Sequence, residues 1–193
     1  MARASTFVKV PKSRIGALIG SNASTKEFIE KELGVQLEVD SESGNVQINL
    51  PPETADPSTL FRAKEIVLAI GRGFSPEKAR RLLDDEEAML LVIDLRTFVG
   101  KSEPDIKRLS GRIIGREGKT RRLIEELTDT YVSVSGHTIS IIGAVEEAEI
   151  ARQAIEMFIL GRLHTSVYKF LYAKKRELKK KQMELWKKPP EET

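Results

Sequence analysis

Residues Leu109-Ser110-Gly111-Arg112-Ile113-Ile114-Gly115-Arg116-Glu117-Gly118-Lys119-Thr120-Arg121-Arg122-Leu123-Ile124-Glu125-Glu126-Leu127 decide the fold class of this chain. The spacing predicts a helix ending at Ile114, a glycine-bounded turn, and a second helix reaching Leu127. Two glycines, Gly115 and Gly118, flank the exposed polar residues Arg116 and Glu117. Without Cβ atoms they let the backbone approach a sugar-phosphate chain closely. The amides that open the second helix attract phosphate oxygens. Arg112, Arg116, Lys119, Arg121 and Arg122 surround the turn with positive charge. Ile114, together with the strand hairpin that follows, offers an apolar floor for bases. A G-x-x-G turn alone is more often structural than functional; its setting between two helices and before a hairpin makes it specific.

Working outward, the same pattern occurs 95 residues earlier. Ile19-Gly20 falls on Ile114-Gly115, and Phe28-Ile29-Glu30 on Leu123-Ile124-Glu125. Val35, Leu37 and Val39 fall on Thr130, Val132 and Val134 in the same frame. The first copy predicts a strand over 6–10, a helix over 12–19, a turn at 20–23 and a helix over 24–33 ended by Gly34. Strands over 36–40 and 46–50 flank a polar turn, Pro51-Pro52 interrupts the chain, and a third helix covers 57–71. The second copy predicts a strand over 89–95, helices over 104–114 and up to 127, strands over 131–135 and 138–142, and a helix over 145–160. Each copy reads β-α-α-β-β-α, which gives a three-stranded antiparallel sheet with helices on one face. The expected division is a first unit over 1–74, a helical and acidic linker over 75–87 with a helix at 78–83, a second unit over 88–162, and a basic C-terminal helix and tail over 163–193.

The first copy departs from the second where chemistry is concerned. Its turn is Gly20-Ser21-Asn22-Ala23, followed by Ser24-Thr25-Lys26-Glu27 instead of Lys119-Thr120-Arg121-Arg122. Ala23 adds a Cβ where close approach is needed, and cations are scarce. A scaffold or protein-contact role is expected there. Charge is distributed to match: residues 1–95 hold 12 Lys/Arg against 15 Asp/Glu, whereas 96–193 hold 20 against 14. A polyanion would meet the C-terminal half.

Other functions find little support. The chain has no cysteine and two histidines, His137 and His164, which excludes disulfides and thiolate metal sites and leaves no expected metal centre or cofactor. Gly118-Lys119-Thr120 imitates a nucleotide-binding P-loop, but Ile113 stands where its first glycine is required. No catalytic constellation is expected, and the acidic run Asp84-Asp85-Glu86-Glu87 reads as solvated. The longest apolar run, Ala88 to Ile93, is too short to cross a bilayer, and the start lacks a signal-peptide core, so a cytoplasmic location is the expectation. In the tail, Leu163, Val167, Phe170, Leu171, Leu178 and Leu185 suggest an amphipathic helix, with Lys174-Lys175-Arg176 and Lys179-Lys180-Lys181 exposed. Such a helix can pack on the second unit, lay lysines along an RNA backbone, or do both.

The segment Ile114 to Lys119 resembles the KH-domain pattern, in which a G-x-x-G turn joins two helices and clamps about four single-stranded nucleotides. On that resemblance the fold is α+β, two tandem type I KH domains plus a C-terminal helix. Val10 to Gly20 and Gly111 to Thr120, with a degenerate first domain and a basic last helix, further resemble the KH-domain small-subunit ribosome-assembly factors, the archaeal relatives of the partner-of-Nob-one family. The resemblance implies a non-enzymatic factor that binds single-stranded RNA near the 3′ end of small-subunit ribosomal RNA, mainly through the second domain. It also implies protein partners, a maturation endonuclease and the alpha subunit of translation initiation factor 2, and no membrane. An adaptor with incidental RNA affinity, or an RNA-degradation cofactor, are the alternatives.

Overall fold

The computed structural model describes residues 4–51 and 56–187, those from 185 onward by their backbone alone. Pro52 and the side chains of Leu185 and Trp186 therefore lie outside the described residues. The first repeat comprises β1 (Ser5–Lys9), α1 (Lys12–Ile19), α2 (Ser24–Leu33), β2 (Gln36–Val39), β3 (Asn45–Asn49) and α3 (Ser58–Gly71). Two short helices follow, α4 (Pro76–Ala79) and α5 (Arg81–Asp84). The second repeat comprises β4 (Ala88–Asp94), α6 (Arg96–Val99), α7 (Glu103–Ile114), α8 (Lys119–Thr128), β5 (Tyr131–Ser135), β6 (Thr138–Ala144) and α9 (Val145–Ile159), and α10 (His164–Lys187) completes the chain. The strands form two antiparallel sheets, ordered β1-β3-β2 and β4-β6-β5, so the last strand of each repeat is central. The expected β-α-α-β-β-α order and α+β class are both present.

Strand periodicity explains how the second sheet is used. Met89, Leu91, Ile93, Val132, Val134, Ile139 and Ile141 point to one face and pack with α7, α8 and α9. Ala88, Leu90, Tyr131 and Ile142 point to the other, where they join the core of the first repeat with Ala79, Leu82 and Leu83. This sheet is therefore covered on both faces, whereas a sheet with helices on one face was expected. Both faces of β6 are buried, Ile139 and Ile141 on one and Thr138, Ser140 and Ile142 on the other.

The segment read as one helix over 78–83 is two short helices. Ser75 accepts from the Lys78 amide at 3.4 Å as N-cap, with Pro76 in the first turn. The split turns Leu82 inward and leaves Arg81 free to reach Asp129, at 2.8 Å. Arg62 donates to the Leu82 carbonyl at 2.6 Å and to that of Glu86 at 3.2 Å, and Ser133 donates to the Arg72 carbonyl at 2.9 Å. The two repeats thus share one apolar junction with a polar rim. Leu82→Ala should cost about 2–4 kcal/mol in denaturant unfolding, the scale of a buried leucine truncated in a packed core; a loss below about 1 kcal/mol would show that the junction is not part of the folded unit.

Helix α10 packs as an amphipathic helix with one correction. Val167 and Leu171 are fully buried and Phe170 and Leu178 partly so, but Leu163 is 71% exposed. The helix begins at His164, so Leu163 stands in the turn before it. The His164 ring takes the inward position, 4.9 Å from Phe158 and 6.0 Å from Tyr168 between ring centres. Helix α6 was not expected; four residues are too few to carry a helical period.

Candidate nucleic-acid interface

The turn between α7 and α8 has an unusual backbone. Gly115 sits at φ 73°, ψ 174°; Glu117 and Gly118 both take left-handed conformations, at φ 53° and 75°. The corresponding turn between α1 and α2 is nearly superimposable: Gly20 is at φ 76°, ψ 174°, with Asn22 and Ala23 at φ 52° and 62°. The conformation is therefore a property of the repeat, and Ala23 accepts a region that costs a residue with a Cβ roughly 1–2 kcal/mol.

The two glycines of the turn differ in what demands them. A Cβ at Gly115 would lie 2.8 Å from Thr120 Cβ and 2.9 Å from its amide nitrogen, and closer still to its hydroxyl. Gly20 meets Thr25 in the same way, at 2.5 Å from Oγ1 and 2.8 Å from N. The first glycine is thus fixed by packing in both repeats. At Gly118 a Cβ would meet nothing nearer than the tips of Arg121 and Arg122, at 3.9 Å. Nothing inside the protein requires glycine there except the backbone conformation, and the first repeat satisfies that with alanine.

No side chain caps α8; the Lys119 amide, the first of the helix, donates to the Arg116 carbonyl, and the Gly118 amide donates to that of Gly115 at 3.2 Å. Arg116 and Lys119 are exposed and make no side-chain hydrogen bond or ion pair among the described residues. Arg122 folds back to donate to the Glu117 carbonyl, steadying the turn. Arg121 reaches across to β5, donating to the Val132 carbonyl at 3.4 Å. Arg112, in contrast, is turned away: its guanidinium donates to the Arg162 carbonyl in the α9–α10 turn, so it does not join the field around Gly118. Ile114 and Val134 are half-buried, each leaving part of an apolar side chain at the surface. The structure therefore brings Ile114 to Lys119, Arg121 and Arg122 together and leaves out Arg112.

The edge strand β5 forms the other wall. Its Val132 amide donates to Glu125 Oε1 at 2.9 Å, just as the Leu37 amide on β2 donates to Glu30 Oε1 at 2.7 Å. Glu125 therefore anchors α8 to the sheet. Tyr168 anchors it from behind, its hydroxyl 3.0 Å from that of Thr120. Neither residue was singled out in the sequence, although Glu30 and Glu125 coincide in the repeat. At the hairpin end, the Arg96 guanidinium holds the Asp94 carboxyl down to about 2, and Arg96 is engaged in that ion pair.

The outer face of α10 carries Lys169, Tyr172, Arg176, Lys179 and Met183 at three- and four-residue steps. Several neighbouring lysines are engaged: Lys174 with Glu177, Lys180 with Glu184, Lys181 with Glu146, and Lys175 with the Glu126 carbonyl. Lys169, Arg176 and Lys179 remain unpaired among the described residues. Among those residues no acidic and histidine side chains cluster as a metal site, and no helix is long and apolar enough to cross a membrane.

Comparison with known proteins agrees with this fold. Residues 89–176 match the family described as the eukaryotic type KH-domain (KH-domain type I), in its form as the second KH domain of PNO1, and residues 5–85 match the Krr1 KH1 domain. The chain is 47% identical over 182 residues to a KH domain-containing protein of Methanocaldococcus jannaschii, covering 94% of this chain and 79% of that one. It is 30% identical over 165 residues to the RNA-binding protein pno-1 of Caenorhabditis briggsae, covering 85% of this chain but 60% of the nematode protein. It also superimposes, with a TM-score of 0.85 and 45% identity, on a chain in the crystal structure of an a/eIF2alpha-aDim2p-rRNA complex from Pyrococcus horikoshii, covering 91% of this chain and 96% of that one. With the tandem repeat, the degenerate first turn and the intact second all in place, the chain belongs to the family of tandem KH-domain proteins that includes PNO1 and Dim2p.

Proposed function

We propose that this protein is a non-enzymatic, cytoplasmic ribosome-assembly factor that binds single-stranded RNA near the 3′ end of small-subunit ribosomal RNA through its second KH domain. The observation that carries this reading is the turn at Gly115–Lys119: an open approach over Gly118, a start of α8 that no side chain caps, and the cations Arg116 and Lys119 on either side, unpaired among the described residues. A phosphate seated there meets amides and cations at once. Arg121, Arg122, Glu117 and Ile114 line its surroundings. Ribosomal RNA as target, and the alpha subunit of translation initiation factor 2 as partner, are supported by the likeness to the P. horikoshii complex; a maturation endonuclease is the second proposed protein partner. The first repeat, whose turn carries Ser21 and Ser24 in place of Arg116 and Lys119, serves protein contact or domain placement.

Helix α10 extends the electrostatic surface. Replacing Lys169, Arg176 and Lys179 together by Gln should weaken binding to every single strand alike and reduce the salt slope by up to about 2, given roughly 0.7 per phosphate on single strands. An unchanged slope would mean that these cations do not touch phosphate. The primary test is a titration against a short single strand copied from the 3′ end of small-subunit ribosomal RNA, beside a scrambled strand and a duplex. Selective binding of the first supports the assembly-factor reading. Equal weak binding to all three would bring forward an adaptor with incidental RNA affinity.

A further inference from the structure

The two repeats carry the same clamp with one difference. In each, a glutamate on the second helix holds the amide of the edge strand and faces a cation one helical turn earlier: Lys26 at 3.9 Å from Glu30, and Arg121 at 4.0 Å from Glu125. Among the described residues only Glu125 has a second cation, Lys78 of α4, whose Nζ lies 3.6 Å from the same oxygen. Lys78 comes from between the repeats and reaches α8 beside Tyr131, its Nζ 5.0 Å from the ring centre, with Arg81 over the same ring at 5.6 Å. Arg121 meanwhile lies between the tip of the turn and the edge strand. One of its terminal nitrogens bonds the Val132 carbonyl, and the other would be 3.9 Å from a Cβ at Gly118.

We propose that Lys78 is a positioning residue for RNA binding: by satisfying Glu125 it keeps the Arg121 guanidinium over the groove between Gly118 and Val132, so that the junction with the first repeat tunes the grip of the second. The physical reason is competition for one oxygen. The Glu125 carboxylate is mostly buried, 15% exposed, and it needs a counter-charge beyond the Val132 amide. With Lys78 present, Arg121 stays at the outer limit of ion-pair distance, and its charge remains available to a phosphate or the face of a base. With Lys78 removed, Arg121 is the sole cation left to Glu125 and is drawn onto α8, out of the groove. In the first repeat Lys26 is the only cation paired with Glu30 among the described residues, and Ser21 and Ser24 stand where Arg116 and Lys119 flank the second turn.

The inference rests on the RNA-binding reading above, and the experiment separates the two. Binding of the same 3′-end single strand is measured for the whole chain and for Lys78→Met, Arg121→Met and the double variant, with Gly118→Asp as reference and thermal unfolding of each as a check on folding. Lys78→Met is expected to weaken binding roughly three- to fivefold, the scale of one partly exposed ion pair, and to have no further effect once Arg121 is replaced. Lys78→Arg, which keeps the charge, should bind as the parent does. An equal loss in both backgrounds overturns the proposal, because Lys78 would then act through the general field or the domain junction. No loss from Lys78→Met overturns it as well. If Gly118→Asp binds as the parent does, the RNA-binding reading itself fails, whatever Lys78 does.

Discussion

Gly118→Asp should bind single-stranded RNA at least a hundredfold more weakly than the parent while remaining folded. The folded state tolerates the change because the new Cβ meets only the flexible ends of Arg121 and Arg122, at 3.9 Å. The φ of 75° costs about 1–2 kcal/mol, at the low end for Asp, which visits the left-handed region more readily than most residues. Binding suffers twice. The carboxylate lies where a phosphate must come, and two unit charges at 4 Å repel by about 4 kcal/mol near a protein surface. It also pairs with the guanidinium groups of Arg121 and Arg122, removing them from the ligand. The control is Asn22→Asp in the first repeat: Asn22 already sits at φ 52°, is exposed, and is flanked by Ser21 and Ser24 where the second turn has Arg116 and Lys119, so affinity should change less than twofold. Matching losses from the two variants would refute the division of labour between the repeats.

Much of this architecture was legible in the sequence because two readings reinforced one another. Helices α1 and α2 end where Gly20 and Gly34 predicted, and the 95-residue offset carried those assignments into the second half, where α7 and α8 obey the same frame. The fold of the second sheet against the first repeat was legible only in hindsight. Leu82 and Ile142 look like ordinary core residues until β6 is seen to be buried on both faces. Arg112 shows the limit of counting cations near a motif. It lies on α7, three residues before Gly115, yet its side chain follows the helix face toward the α9–α10 turn and donates to Arg162. Sequence distance gave its neighbourhood, and only the helix phase and the packing of α10 gave its direction. The same holds for Glu125 and Tyr168, whose partners lie on β5, α4 and α8, far from them in the chain or on another element.

The two glycines of the second turn should separate in opposite ways when each is replaced by alanine. Gly115→Ala places a methyl 2.9 Å from the Thr120 amide, a backbone atom that cannot step aside without unwinding the start of α8. Thr120 is itself 3% exposed and held through its hydroxyl to Tyr168. Strain at a positive-φ, extended-ψ backbone that is essentially confined to glycine, together with overpacking, should cost about 3 kcal/mol, a fall of roughly 6–12 °C in Tm for a chain of this size. Gly118→Ala carries the conformational strain alone, about 1 kcal/mol and roughly 2–4 °C, yet it should weaken RNA binding more than that strain explains, because the methyl stands in the path of the backbone it clamps. The first repeat makes the same distinction in its own sequence: Gly20 is kept against Thr25, while Ala23 occupies the second position at φ 62°. If the two variants melt alike, packing against Thr120 is not what holds the first glycine in place. If Gly118→Ala binds RNA as the parent does, Ala23 is not the reason the first turn lost its ligand, and the missing cations around Ser21 and Asn22 would have to account for that loss by themselves.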